Sequence, residues 1–167
     1  TRPPTDPDAW AEFAAQAVTS LNGEYGSAGY QLNVKYVEIW NEPDTPLYWQ
    51  GSGPEYHEQF RRAATAIKSA HPDVLVGGPA SLNYTGPWTR AFIRECADVV
   101  DFLIYHSYNE PVDQLTTRIR QMAEFFRSET GNPDAQVMIT ETDNFGLNGA
   151  EKVDYLMRRQ FALQDVS

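Results

Sequence analysis

The chain has 167 residues, of which 41% are hydrophobic, so it has the size and composition of one globular domain with a sizeable core. Its formal net charge of -10 repels phosphate backbones, which argues against nucleic acid as a partner. The single cysteine excludes an internal disulfide, no zinc-type Cys/His spacing occurs, and no apolar stretch approaches the ~20 residues that cross a bilayer.

These absences predict a soluble protein that needs neither a metal ion nor another cofactor and has no membrane partner. The first residues lack the charged and apolar regions of a signal peptide, and the chain begins without a methionine, as a piece of a longer protein would. The compartment is therefore not readable from the sequence.

Apolar residues that recur at three and four positions predict helices, and short apolar runs between turn residues predict strands. In chain order the pattern predicts a helix at 7–22, a strand at 34–40, a helix at 54–72, a strand at 74–76, a helix at 88–97, a strand at 99–105, a helix at 113–129, a strand at 137–140 and a helix at about 150–163.

Strands that alternate with helices indicate βαβ units and a parallel sheet, and we expect residues 1–167 to form one such domain. A doubly wound sheet and a (β/α)8 barrel both fit this pattern. A complete barrel takes ~250 residues, so four βα units make about half of one.

Two glutamates, Glu42 and Glu141, each directly follow a predicted strand. In a barrel the carboxyl ends of the strands converge on one mouth, so two distant acids can face each other there. Glycoside hydrolysis needs such a pair, with carboxyl groups roughly 5 to 5.5 Å apart in retaining enzymes. The alternative is that both are solvated carboxylates at strand ends.

The motifs around these acids resemble those of a known clan. Residues 39–43, Ile-Trp-Asn-Glu-Pro, and residues 139–141, Ile-Thr-Glu, are similar to the acid/base and nucleophile strands of clan A glycoside hydrolases. More narrowly, residues 37–44, residues 76–80 and residues 101–108 resemble family 39, the β-xylosidase and α-iduronidase family. The resemblance implies a TIM-barrel fold of which strands four to seven are present.

The same resemblance implies roles for individual residues. Glu42 would be the general acid/base and Glu141 the nucleophile of a retaining double displacement on a xyloside-like carbohydrate. Asn41 would hydrogen-bond the sugar 2-hydroxyl, although an asparagine before Pro43 can equally cap a turn. His106 and Tyr108 match positions that line the sugar site or orient the nucleophile, and the alternative for His106 is a hydrogen-bonded core histidine.

Aromatic side chains are further candidates for sugar contact. Trp49 follows the Asn-Glu-Pro motif at a family position, and Trp49, Trp88 and Tyr84 would stack on the apolar faces of sugar rings or, alternatively, belong to the core. Glu38 shares strand parity with Glu42 and is expected to point into the barrel.

A second Asn-Glu-Pro, residues 109–111, lacks an apolar strand immediately before it. We interpret Glu110 as a residue of the loop or of the following helix N-terminus, where acids and Pro111 fit, and not as a catalytic acid.

Half a barrel leaves the strands at 34–40 and 137–140 with open edges and one sheet face uncovered, which favours self-association. The leading hypothesis is a retaining glycoside hydrolase. The alternative is a non-catalytic truncated barrel that acts as a carbohydrate-binding or assembly module.

Overall fold

The computed structural model describes residues 1–23 and 29–164, and within this part no helix is both long and apolar enough to cross a membrane. Helices and strands alternate as predicted. The elements are α1 (Pro7–Asn22), β1 (Tyr36–Glu38), α2 (Gly53–Ala70), β2 (Leu75–Ser81), α3 (Pro87–Cys96), β3 (Phe102–Tyr108), α4 (Val112–Thr130), β4 (Gln136–Asp143) and α5 (Gly149–Gln164).

The four strands form one parallel sheet in the order β1-β2-β3-β4. Each strand therefore lies beside the strand that precedes it in the chain. A doubly wound sheet would reverse its direction at a switch point, whereas successive neighbours are the arrangement of a (β/α)8 barrel. The prediction of half a barrel is confirmed.

The sheet has a covered face and a face without helices. Along β3, Leu103 and Tyr105 join the main core that the helices cover, and Phe102 and Ile104 form a small separate cluster on the other face. This alternation follows from the two-residue period of a strand. The second face corresponds to the interior of a barrel, and we call it the inner face.

Strand β2 is longer than predicted, because Gly77 and Gly78 lie within it and do not end it. A Cβ atom at Gly77 would stand 2.3 Å from the Phe102 ring, and one at Gly78 would stand 2.9 Å from the Phe60 ring. The two glycines are thus positions where aromatic rings of both faces approach the backbone, and not a turn.

Strands β3 and β4 also extend past their predicted ends, so that His106 and Glu141 lie inside them. The backbone ladder continues there, because His106 pairs with Glu141 and Tyr108 with Asp143. Polar residues occupy these positions because the carboxyl ends of the strands lie at the rim of the sheet and not in its apolar middle.

Strand β1 differs more from its prediction than the other strands do. The sequence predicts a strand at 34–40 that is largely buried. Only three residues form β1, and Tyr36 remains 48% exposed while its ring packs edge-on against Phe102 on the inner face. The strand lies at the sheet edge and has one neighbour, which explains its short ladder and its exposure.

Candidate active site

Four of the predicted site residues, Glu42, His106, Tyr108 and Glu141, converge at the carboxyl ends of three strands. Glu42 follows β1, His106 and Tyr108 end β3, and Glu141 lies near the end of β4. Since parallel strands point the same way, their ends form one rim, and the fold brings together residues up to 99 positions apart in the sequence.

The chain reaches Glu42 through an unusual backbone. Trp40 and Glu42 both have left-handed conformations, with φ of 71° and 45°, which cost of order 1–3 kcal/mol each for residues other than glycine. Hydrogen bonds hold this turn, because the Glu42 amide donates to the Ala80 carbonyl at 3.2 Å and the Tyr56 hydroxyl to the Ile39 carbonyl at 2.8 Å. The result is a buried Glu42 side chain aimed at the neighbouring strands.

A buried imidazole lies between the two carboxylates. His106 Nδ1 is 2.7 Å from Glu42 Oε1, and His106 Nε2 is 3.7 Å from Glu141 Oε1. One ligand atom from each of the three side chains lies within 4.8 Å of the other two, so a pair of carboxylate oxygens is within that distance. Within the described part of the chain, His106 Nε2 has no hydrogen-bond partner.

Glu141 has different surroundings from Glu42, because half of its side chain is exposed while that of Glu42 is largely covered. The Tyr108 hydroxyl donates to Glu141 Oε2. Desolvation, followed by this hydrogen bond and the negative charge of Glu141, raises the pKa of Tyr108. Tyr108 therefore remains a phenol and a hydrogen-bond donor at neutral pH.

Glu38 lies on the inner face near His106 and Glu141, as its strand parity with Glu42 predicts. Although the residue is solvent-accessible, desolvation of its carboxyl raises the pKa of Glu38, and the charge of Glu141 acts in the same direction. A hydrogen bond from Thr140 and the nearby His106 oppose this rise.

The structure does not bring Trp49 to the site. Trp49 is 3% exposed and packs edge-on against Trp40 and Tyr56, with ring centroids 5.2 and 5.6 Å away, and its Nε1 donates to the Ser52 carbonyl. It therefore presents no ring face to a ligand, and the expected sugar contact is corrected to a position in the hydrophobic core. The loop that follows Asn41 places the Trp49 indole in the main core, where it packs against Trp40 and Tyr56.

The other two aromatic candidates also lie elsewhere. Tyr84 is buried and stacks on Tyr105 at 4.2 Å, on the helix-covered face of the sheet. Trp88 lies in the first turn of α3, half-buried beside Phe92.

Two accessible side chains flank the carboxylates. Asn41 is half-buried beside Glu42. Phe145 follows β4, is 69% exposed, and stacks on the Tyr108 ring at 5.3 Å. Phe145 is a neighbour of the site that the sequence did not predict. Its signal in the sequence is an aromatic residue four positions after a strand-end glutamate.

Glu110 stands just before α4, as predicted from its sequence context, but it is buried and not solvated. Its carboxylate accepts hydrogen bonds from Tyr84, Ser107 and Arg118 on the helix-covered side of β3. No local pattern predicts the contact with Tyr84, since Tyr84 and Glu110 are 26 positions apart in the sequence.

Glu42, His106 and Glu141 are also ligand types for a divalent metal ion, and they form the one such cluster within residues 1–23 and 29–164. Three polar atoms of this cluster already take part in hydrogen bonds. Glu42 Oε1 and His106 Nδ1 bond to each other, and Glu141 Oε2 accepts from Tyr108. The two carboxylates thus lie on either side of the His106 ring.

Comparison with known proteins extends over almost the whole chain. The family model described as Glycosyl hydrolases family 39 matches residues 1–162. Curated relatives include a beta-xylosidase of Geobacillus stearothermophilus, 31% identical over 110 residues, and one of Caldicellulosiruptor saccharolyticus, 28% identical over 124 residues. These alignments cover 64% and 73% of this chain but only 21% and 25% of the relatives, so the chain spans about a quarter of their length or less.

Solved structures share the fold. A glucosidase from Croceicoccus marinus superposes with a TM-score of 0.83 at 22% identity, over 99% of this chain and 37% of that one. A monomeric beta-xylosidase from Caulobacter crescentus gives a TM-score of 0.81 at 20% identity, over 99% and 38%. The half-barrel thus has counterparts within longer glycosidase chains.

Proposed function

Because the chain belongs to glycosyl hydrolase family 39, we propose that it is the portion of a retaining β-glycosidase that carries both catalytic carboxylates. The observation that supports this most is the approach of a Glu42 oxygen to a Glu141 oxygen within 4.8 Å. Retaining enzymes keep their carboxyl groups roughly 5–5.5 Å apart, whereas inverting enzymes hold them about 6.5–9.5 Å apart to admit a water molecule.

In this proposal Glu42 is the acid/base and Glu141 the nucleophile. Glu42 gives its proton to the glycosidic oxygen while a Glu141 oxygen attacks the anomeric carbon, so the bond to the leaving group breaks as a glycosyl ester forms. Water then attacks the same carbon, Glu42 takes its proton, and the ester bond to Glu141 breaks. The accessible Glu141 and the covered Glu42 beside His106 fit these two tasks.

The remaining site residues have positioning roles in the same scheme. Asn41 hydrogen-bonds the sugar 2-hydroxyl, a contact that strengthens in the transition state. Tyr108 directs a hydroxyl at Glu141 and selects which of its oxygens attacks. His106 holds Glu42 through Nδ1, and its Nε2 faces the gap beside Glu141.

We propose a xyloside-like neutral sugar as the substrate class. The curated relatives are beta-xylosidases, and the net charge of -10 disfavours anionic substrates. Because this chain covers a small part of those relatives, its turnover when isolated is part of the proposal.

The test compares the purified chain with Glu42→Ala and Glu141→Ala on an aryl β-xyloside. We expect both variants to lose at least about a hundred-fold in kcat/KM, since general acid–base catalysis alone contributes about 10²–10⁴-fold. Azide should restore turnover in Glu42→Ala by replacing water as the attacking group. Glu151→Ala, an exposed position on α5, is the control and should keep the parent rate.

Unchanged rates in both glutamate variants would refute the catalytic roles. An unmodified chain that binds xylo-oligosaccharides in calorimetry but leaves the aryl xyloside intact would support the alternative, a carbohydrate-binding or assembly module.

A further inference from the structure

Ser107 occupies the position in β3 between the two site residues of that strand. Side chains alternate along a strand, so His106 and Tyr108 face the carboxylates while Ser107 points to the helix-covered side. The position of both site residues therefore depends on how the main chain at Ser107 is held.

The main chain and the side chain of Ser107 are both held by hydrogen bonds. Its hydroxyl donates to Glu110 Oε2 at 2.6 Å. Its carbonyl oxygen accepts from Thr142 Oγ1 at 2.9 Å and from Arg159 Nη2 at 3.2 Å. These contacts tie β3 to the following loop, to β4 and to α5.

The Glu110 carboxylate accepts hydrogen bonds from two further parts of the chain. The Tyr84 hydroxyl donates to it at 2.7 Å and Arg118 Nη1 at 2.7 Å, in addition to Ser107. The Glu110 carbonyl oxygen accepts from Arg159 Nη1 at 2.8 Å and from the Tyr155 hydroxyl at 2.9 Å. Glu110 is thus fixed through its side chain and through its main chain.

Arg159 is the member of this cluster whose burial costs the most desolvation free energy. It is 1% exposed, and it places its guanidinium against the carbonyl groups of Ser107 and Glu110 and over the Tyr155 ring. A buried charge costs several kcal/mol to desolvate, and well-packed apolar residues frequently serve stability as well or better. What the charge provides here is a fixed geometry at the end of β3.

We infer that Glu110 and Arg159 are positioning residues, which act through Ser107 to hold His106 and Tyr108 against Glu42 and Glu141. The assignment of a task to this geometry rests on the proposed function, while the geometry itself can be measured without turnover. The second Asn-Glu-Pro thereby has a role on the opposite side of the strand from the first.

The test uses Glu110→Gln and Ser107→Ala, with Glu129→Gln as a matched control. Glu129 is the partner of Arg94 in a surface ion pair at 3.3 Å. The chain has three histidines, so ring nitrogen resonances in ¹⁵N NMR can be assigned to His57, His71 and His106. We expect both test variants to shift the His106 resonances and leave those of His71 in place, and we expect the control to shift neither.

Kinetics provide the second measurement. A displacement of about 1 Å in a catalytic constellation can cost on the order of a hundred-fold in rate, so kcat should fall at least about ten-fold in Glu110→Gln with little change in KM. Ser107→Ala removes one hydroxyl and leaves the other Glu110 contacts. It therefore tests the positioning role if Glu110→Gln does not fold.

Folded variants with His106 resonances at the parent positions would overturn the inference. Shifted resonances in a chain that never hydrolyses a glycoside would support the positioning role and count against the proposed function, so the two failures are distinguishable.

Discussion

Glu42 and Glu141 carry the same functional group, but their exposure and their contacts differ. Glu42 is covered by a turn with two left-handed residues and contacts His106, while Glu141 is half exposed and accepts a hydrogen bond from Tyr108. A pair of acids with different environments is what two-step glycoside cleavage uses to divide the tasks of proton transfer and attack.

His57 provides a pH-dependent prediction at the residue scale. Burial lowers the pKa of His57, against the opposing charge of Glu95, so the ring stays neutral to a lower pH in the folded chain than in the unfolded chain. As pH falls below the unfolded value of about 6.5, the unfolded chain binds a proton first, and the free energy of unfolding decreases until the folded pKa is passed.

We therefore expect His57→Gln to lose less stability than the parent chain between pH 7.5 and pH 5.5, as measured by urea unfolding at both values. Ser69→Ala, at an exposed position near the end of the same helix, α2, is the control and should follow the parent. An identical decrease in the parent and in His57→Gln would contradict the stated role of burial.

At the scale of elements, the loop that carries Glu42 ends where α2 begins. Ser52 caps that helix, because its hydroxyl accepts from the Glu55 amide while the Glu55 carboxylate accepts from the Ser52 amide at 2.7 Å. This reciprocal pair is a capping box. It joins the start of the helix to the loop in which Trp49 enters the core.

Ser52→Ala should reduce the free energy of unfolding by about 1 kcal/mol, because the side-chain acceptor for the first turn of α2 is lost. Ser69→Ala, at an exposed position near the other end of the same helix, should change it by no more than about 0.5 kcal/mol. Chemical denaturation of the three proteins measures both values. An equal effect of the two substitutions would exclude a specific capping role.

At the scale of the whole molecule, the sheet ends in two strands with a single neighbour each, β1 and β4. The inner face exposes Tyr36, and α5 exposes Val153, Met157 and Phe161 at helical spacing. Unpaired edges and contiguous apolar surface favour association with another chain or with further parts of a longer one.

We predict that the isolated 167-residue chain forms oligomers whose average mass in light scattering rises with concentration. Tyr36→Lys should reduce this rise, because lysine on an edge strand opposes strand pairing. Tyr30→Lys, at another exposed tyrosine outside the four strands, is the control. A compact monomer at high concentration would show that the open edges do not drive association.

Local sequence patterns predicted the fold well, since each helix and strand depends on neighbouring residues. Where a predicted strand boundary was wrong, the difference has a physical reason. The strand predicted at 74–76 ended before Gly77 and Gly78, but β2 continues through these glycines, where Phe102 and Phe60 lie against the backbone. The predicted strand at 34–40 is two residues too long at each end, because its apolar residues are typical of a central strand, whereas β1 lies at the edge of the sheet.

The candidate site was only partly predictable. Acids at strand ends were visible in the sequence, because the carboxyl ends of parallel strands meet by geometry. Trp49 was misplaced, since nothing local distinguishes an indole that stacks on a ligand from one that packs between Trp40 and Tyr56.

The sequence by itself determined the order of the elements and a parallel sheet, because these follow from periodicity and chain direction. The half-barrel with Glu42 and Glu141 at one rim was implied by the resemblance of the motifs around these acids. Only the tertiary structure decided that the His106 ring lies between the two acids and is hydrogen-bonded to Glu42, that Trp49 is buried and that Glu110 is anchored by Tyr84 and Arg118. Those contacts join residues from distant elements, and their geometry depends on how helices and strands pack, which no local pattern encodes.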